Sequence, residues 1–224
     1  MISLLPRWVW SFAWALAFAG GMVNVVGVLG FEHQTVTHLT GTTSMLAAAL
    51  ADLDSTAVVH FAAMIGSFVL GTVLSGLIIK DSALKLGRRY GVALILESLM
   101  LAAAVPLLDR GNMLGLYSAA CACGLQNAMA STYSGTVVRT THLSGMFTDL
   151  GVFLGHWLRG LSIDRRRLRL SVLIITGFLC GGIAGALLYR RFGNAALFVP
   201  AAFTALAAVA YEAYRIRHPD AGAA

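Results

Sequence analysis

Two histidines lie in nearly identical five-residue motifs, one in each half of the chain. Thr37-His38-Leu39-Thr40-Gly41 returns as Thr141-His142-Leu143-Ser144-Gly145, and both copies interrupt apolar sequence. Matching polar breaks in two apolar halves are typical of a transporter-type binding site. Because imidazole titrates near physiological pH, His38 and His142 are also candidates for proton coupling. The alternative is a structural role, in which both rings form hydrogen bonds between helices.

Polar residues upstream of each motif extend the match between the halves. Gly20-Gly21-Met22-Val23-Asn24 precedes the first motif, and Gly124-Leu125-Gln126-Asn127 precedes the second. A glycine-rich apolar stretch follows each motif, so three features recur in the same order and indicate a duplicated unit. We expect Asn24, Gln126 and Asn127 to line the site. The alternative is pairing between helices, which contributes only about 0.6–2 kcal/mol.

The sequence after each motif predicts a short helix that begins inside the membrane. Apolar runs follow Gly41 and Gly145, which we expect to allow tight backbone paths. Thr40 and Ser144 are then the expected helix N-caps. The positive ends of two such half-helices attract anions and carboxylate groups. We therefore predict that a small polar or anionic solute binds between the two half-helix N-termini, near the bilayer midplane.

Two acidic residues in apolar surroundings are further candidates for proton coupling. Asp149 follows the second motif, and Glu97 lies in the middle of an apolar run. For Asp149 the alternative is capping of a neighbouring helix, and for Glu97 it is a buried pair or a packing role. His38, His142 and Asp149 are also the donor types of a divalent-cation site. Nothing in the sequence sets their distances, so we expect neither a metal nor a cofactor.

The composition places these residues in a polytopic membrane protein. Hydrophobic residues make up 58% of the chain and charged residues 12%, with a mean hydropathy of +0.78, whereas soluble domains carry about 25% charged residues. The net charge of +6 comes from Arg and Lys in short gaps between apolar runs. That distribution is a topology signal and argues against nucleic-acid binding. The three cysteines have neither disulfide nor zinc spacing, so we expect packing roles.

The apolar runs predict six spanning helices and two re-entrant segments. A spanning helix needs about 20 mostly apolar residues, and the stretches that qualify are 8–30, 57–79, 90–108, 113–131, 171–189 and 195–214. The stretches that begin at the motifs, 37–52 and 141–158, are marginal, and we expect each to enter and leave on the same side. Both termini and most of the 16 Lys and Arg residues are then cytoplasmic. Eight crossings would leave almost no charge bias.

The expected fold is therefore a single all-α membrane domain built from two inverted-topology repeats, residues 1–112 and 113–224. Each half has three crossings, an odd number, so the second repeat must insert upside down relative to the first. We expect the third helices of the halves to pack on each other or on a partner subunit, which makes a homodimer a reasonable assembly. Their small residues at helix-contact spacing are Gly71 and Ser75, and Gly177, Gly181 and Gly185.

With these features the chain resembles the YoaK-like bacterial membrane proteins (domain of unknown function 1275). The resemblance extends over nearly the whole chain and rests on both motifs and on the segments upstream of them. Thr42 stands where the family usually has Asn, and Ser144 keeps the hydroxyl of the usual Thr. The resemblance implies the bacterial inner membrane and a transport role, but no particular substrate.

Three other functions are alternatives to a transporter. A passive channel would use the same opposed half-helices, and a scaffold would tolerate loss of both histidines. An enzyme fits poorly, because His142 and Ser144 at i, i+2 on one helix do not face each other and the Gly-x-Ser-x-Gly pattern is absent. We therefore expect no catalytic residues, and we expect a small solute and the lipid bilayer as partners.

Overall fold

The computed structural model describes residues 7–30, 36–79, 89–134 and 139–217. The predicted all-α class is confirmed for these residues, which contain no β-strand. Within these ranges the chain forms eight α-helices and one 3-10 turn: α1 Arg7–Leu29, α2 Leu39–Ala51, α3 Ser55–Ile78, α4 Arg89–Asp109, α5 Leu114–Ser134, α6 Leu143–Leu158, α7 Arg165–Phe192, the 3-10 turn Gly193–Leu197 and α8 Phe198–Arg217.

The six long helices coincide with the predicted spanning stretches. Four stretches of the described chain are long and apolar enough to cross a membrane: Trp8–Leu29, Ser55–Ile78, Arg89–Asp109 and Arg165–Ala213, of which the last contains both α7 and α8. The helix α5 has 21 residues, but polar side chains interrupt it. With 13 and 16 residues, α2 and α6 are shorter than the roughly 20 residues of a typical crossing.

Each short helix turns back along the next helix of its own half. The turn before α3 holds Leu53 at a φ of 55°, and the turn before α7 holds Gly160 at a φ of 70°. Asp54 then caps α3 and Asp164 caps α7, each accepting two backbone N–H groups of the first turn. Such caps stabilise a helix by satisfying its first donors. At about 1.5 Å per residue, the starts of α2 and α6 therefore lie beside the middle of α3 and α7.

The long helices pair across the two halves of the chain. The helix α1 packs along α7, α3 packs along α5, and α4 packs on both α5 and α8. At the first crossing, a Cβ on Gly21 would collide with the backbone carbonyl of Phe178. At the second, a Cβ on Gly124 would collide with that of Phe68. Because Gly21 and Gly124 lie in the two matching upstream segments, the same close crossing is built twice.

The predicted pairing of the third helices with each other is wrong. In the described chain, α3 and α7 are not among the helix pairs in substantial contact. Gly71 on α3 instead faces the carbonyl of Cys121 on α5, and Gly181 on α7 faces that of Phe18 on α1. The small residues thus permit close contact with the first helix of the opposite half. The homodimer stays a prediction.

Two apolar clusters fill opposite ends of the bundle. The first contains Val9 near the start of α1, and the second contains Val23 near its end. Leu170 near the start of α7 belongs to the first cluster, whereas Met64 in the first half of α3 belongs to the second. Since α2 turns into α3 and α6 turns into α7, the two short helices run from the middle of the bundle toward different ends.

Candidate functional site

A cavity of about 560 Å³ lies where the two short helices begin. Both motifs contribute to its wall, together with the asparagines of the two upstream segments. The predicted site residues that line it are Asn24, Thr37, His38, Thr40, Asn127, Thr141, His142 and Ser144. Gln126, Gly41 and Gly145 are not part of the lining.

The first motif turn is fixed to α1 by one side chain. Oδ1 of Asn24 accepts a hydrogen bond from the backbone N–H of Thr37 at 3.2 Å and another from its Oγ1 at 2.8 Å. Both residues are buried. Two donors on one oxygen set the orientation of the amide, because a flip would bring its NH₂ group against the Thr37 N–H. The Nδ2 of Asn24 is thereby directed away from the turn.

The second motif turn is fixed to the bundle through a chain of buried side chains. Thr140 Oγ1 donates to Gln126 Oε1 at 3.5 Å, and Gln126 Nε2 donates to Glu97 Oε1 at 3.0 Å. Gln126 therefore lies behind the cavity wall and holds the turn instead of facing a solute. Asn127 lines the cavity, and its buried Oδ1 has no hydrogen-bond partner among the described residues.

Both short helices begin earlier than predicted. The N-cap residues are His38 and His142, and neither makes a side-chain capping hydrogen bond. The prediction that Thr40 and Ser144 are the N-caps is wrong, because both lie in the first helical turn. Their hydroxyls are thus exposed on the helix surface, in the wall of the cavity. The first N–H groups of α2 and α6 are not satisfied by cap side chains, which leaves them suited to an anion.

The motif glycines accommodate the histidine rings. Gly41 and Gly145 are helical residues and are not among the glycines with positive φ, so the predicted tight backbone paths are wrong. A Cβ on Gly145 would lie 2.6 Å from Nε2 of His142, and a Cβ on Gly41 would lie 3.1 Å from Nδ1 of His38. Each ring therefore folds back over the first turn of its helix, where only glycine leaves full room.

Comparison with known proteins identifies the family. Residues 12–210 match the family described as "Protein of unknown function (DUF1275)". The chain belongs to the DUF1275 family. It is also similar to a UPF0700 transmembrane protein of Rhizobium meliloti (strain 1021), with 29% identity over 186 residues that cover 83% of this chain and 78% of the relative. No solved structure matches the chain.

Membership in the DUF1275 family confirms the resemblance seen in the two motifs. The transmembrane relative and the long apolar helices together identify the chain as a multi-pass membrane protein. The match begins inside α1 and ends inside α8, so the cavity and both motif turns lie within the family region.

The two acidic candidates lie outside the cavity of this DUF1275 protein. Asp149 forms a two-pronged ion pair with Arg167, at 2.9 Å and 3.1 Å, which joins α6 to α7. Glu97 is buried behind Gln126, and its Oε2 has no hydrogen-bond partner among the described residues. In the part of the chain that the structure describes, no three His, Cys, Asp or Glu side chains are grouped to hold a metal ion. The coupling roles of Asp149 and Glu97 stay predictions.

Several lining residues were not predicted from the sequence. Phe68 on α3 and Phe178 on α7 face the cavity from equivalent crossings, and Arg139, Thr72 and Ser131 complete its polar wall. A repeated Phe-x-x-Gly pattern, which ends at Gly71 and Gly181, is the signal that would have found the phenylalanines. Arg139 was not among the predicted site residues, because basic residues between apolar runs usually act as topology signals.

Proposed function

We propose that this DUF1275 protein is a membrane transporter for a small polar or anionic solute. The observation that carries the proposal is the shared cavity, which both motif turns line although they lie about half a chain apart. The N-termini of α2 and α6 meet at this cavity with their first N–H groups uncapped by side chains. Irregular backbone inside a membrane persists where it lines a cavity or is buried by protein.

We further propose six crossings and two inverted repeats, with both termini in the cytoplasm of a bacterial inner membrane. The doubled glycine crossings, at Gly21 and Gly124, support the repeat. The opposite directions of α2 and α6 support the inversion, because they lead from one cavity toward different ends of the bundle. Inverted repeats with interrupted helices at their interface are a recurrent architecture of secondary transporters.

The shape of the cavity supports a carrier that is open to the cytoplasm. Thr72 and Ser131 line it from the C-terminal parts of α3 and α5, at the end of the bundle that contains the start of α1. No described residue of α1 after Asn24 or of α7 after Phe178 is part of the lining. The cavity therefore does not continue along these helices toward the opposite end of the bundle. One open end and one packed end are expected of alternating access around a fixed site, whereas a passive channel would open at both ends.

The test of transport is the double substitution His38→Ala, His142→Ala. In proteoliposomes that contain a panel of small anions and neutral solutes, we expect flux by the native chain and none by the double variant, which loses both rings of the cavity wall. His156→Ala is the matched control, because His156 is exposed on α6 and lies outside the cavity. Normal flux in a folded double variant would contradict the proposal that the solute binds in this cavity. Flux that an imposed proton gradient does not alter would favour the channel.

Cysteine labelling tests the inverted topology. Ser55→Cys, next to the capping Asp54, should react with an impermeant reagent from outside, and Arg165→Cys should react only after the membrane is opened. The background carries Cys180→Ser, since Cys180 is exposed while Cys121 and Cys123 are buried. Labelling of both sites from the same side would contradict the inverted repeat.

A further inference from the structure

We propose that the cavity selects a small organic carboxylate and that Arg139 is the residue that selects its charge. The inference rests on the proposed transport function and names the substrate class of the same site. Three observations carry it: the charge of the lining, the hydrogen-bonding groups left without protein partners, and a pair of aromatic side chains on the wall.

The charge of the lining is positive. Arg139 lines the cavity, and none of the Asp and Glu residues that the structure describes does so. Elsewhere the chain neutralises an arginine with an acid, as Arg167 is paired with Asp149. No such ion pair is formed by Arg139 with any of the described residues. A guanidinium that no protein carboxylate neutralises is suited to bind an anion, and a solute anion supplies the missing charge.

The free hydrogen-bonding groups include donors that suit a carboxylate. Asn24 is only 9% exposed, and its Oδ1 is occupied by Thr37. Both of its hydrogen bonds within the described chain use Oδ1, and the side chain lines the cavity. The first N–H groups of α2 and α6, which begin at the cavity, add further donors. Arginine adds a planar fork that matches the two oxygens of a carboxylate.

The remaining wall favours an organic anion over a bare inorganic ion. Phe68 and Phe178 line the cavity from the two helix crossings, where they can pack against an apolar substituent. A single guanidinium matches a single negative charge, so a monocarboxylate fits better than phosphate or sulfate. A volume of about 560 Å³ is in the range of organic-solute pockets, roughly 300–1,000 Å³.

The experiment compares a carboxylate with its neutral isostere. Purified full-length protein is tested with lactate, lactamide, phosphate and chloride, by thermal stabilisation in detergent and by counterflow in proteoliposomes. We expect lactate to stabilise the protein and to be exchanged, and we expect no effect of lactamide. Arg139→Gln should weaken the lactate response at least about tenfold, because a hydrogen bond to a charged group contributes more than a factor of ten in affinity.

Two further variants keep the test decisive. Arg139→Lys retains the charge without the planar fork, so its lactate response should fall between those of the native chain and Arg139→Gln. Arg159→Gln makes the same change in net charge outside the cavity, where Arg159 is exposed at the end of α6, and it should respond as the native chain does. If Arg139→Gln fails to fold, the lactate responses of the native chain, Arg139→Lys and Arg159→Gln are compared instead. The proposal requires a weaker response in Arg139→Lys than in the other two proteins.

The outcomes separate the two proposals. An unchanged lactate response in Arg139→Gln, no response of the native chain to lactate, or a preference for lactamide, phosphate or chloride would each overturn the carboxylate assignment. Exchange of lactamide that requires His38 and His142 would overturn the assignment while supporting transport. If the native chain exchanged no solute of the panel used for the histidine variants, the transport function itself would fail.

Discussion

The first motif turn is held by one asparagine, whereas the second is held by two side chains in series, Gln126 and Glu97. Asn24 binds Thr37 directly through its backbone and its hydroxyl. In the second half, Thr140 reaches Gln126, which in turn binds Glu97. The residue before each asparagine accounts for the difference, because an apolar Val23 occupies the place that Gln126 has in the other half. Two nearly identical motifs therefore acquire different supports from their neighbours.

The side chains of the two asparagines consequently differ in their hydrogen bonding. The amide of Asn24 is committed to its turn, while Oδ1 of Asn127 is buried without a partner among the described residues. An unsatisfied buried acceptor is costly, so the two upstream segments differ in how fully the hydrogen-bonding groups of their asparagines are satisfied.

Substitutions at the helix crossings, in contrast to those at the motif turns, should destabilise the protein equally in the two halves. Gly71→Ala and Gly181→Ala each place a methyl group against the backbone carbonyl of the opposing helix. Because a carbonyl cannot move without its helix, we expect each substitution to destabilise the protein by about 1–3 kcal/mol or more. Thermal unfolding in detergent and gel filtration measure the loss.

The control for the crossings is Gly66, which lies on α3 with Gly71 and has no close neighbour. A Cβ on Gly66 would meet nothing within 4 Å, so Gly66→Ala should not lower the free energy of unfolding and should raise it by up to about 0.5–1 kcal/mol, because alanine is favoured over glycine in a helix interior. If only one of the two crossing variants were destabilised, the equivalence of the crossings, and with it the duplicated architecture, would be contradicted.

The two asparagines should contribute unequally to the stability of the protein. Asn24→Ala removes the acceptor of two buried donors of Thr37, and an unsatisfied buried donor costs about 1–3 kcal/mol. Asn127→Ala removes an oxygen that has no partner in the described structure, so we expect a much smaller loss of stability and a larger loss of flux. Parallel unfolding and proteoliposome measurements on both variants test the inequality. Equal unfolding midpoints would show that the two turns are supported alike.

Much of the fold follows from the sequence, because the long apolar runs and the charged gaps between them are local signals. The partners of the helices do not follow, since small residues at four-residue spacing indicate a close contact without identifying the helix that makes it. Gly71 and Gly181 illustrate this limit, because they were expected to contact the other third helix or a partner subunit, whereas in the structure they face α5 and α1. The pairing of Asp149 with Arg167 was missed for a related reason, as it depends on how the turn between α6 and α7 folds.

The sequence predicted many of the residues that line the cavity, but it did not predict how they are arranged. The repeated motifs and the asparagines identified residues that the structure brings to one cavity. The cap assignment failed because N-cap preferences favour hydroxyl side chains, whereas here the helices begin two residues earlier, after the histidines. Arg139 was overlooked because its place in the cavity depends on how the chain before α6 turns back, and no local pattern records that.

The smallest effect in the comparison concerns the glycines beneath the two histidine rings. In a helix interior, alanine is favoured over glycine by about 0.5–1 kcal/mol, so neither Gly41→Ala nor Gly145→Ala should lower stability much. The Cβ distances differ, however: 2.6 Å to Nε2 of His142 against 3.1 Å to Nδ1 of His38. Gly145→Ala must therefore displace its ring, while Gly41→Ala requires only a small adjustment. We expect a several-fold loss of flux in the first variant and a slight loss in the second.

Gly155→Ala on the same helix α6 is the control, because a Cβ there would meet nothing within 4 Å. Flux and unfolding are measured together, so that a ring displacement is distinguished from general damage: the former lowers flux at an unchanged or higher unfolding midpoint. Unchanged flux in both Gly41→Ala and Gly145→Ala would mean that ring position does not matter for transport. In that case the histidines would act in the bundle only as packing groups, and the contrast between the two turns would lose its functional meaning.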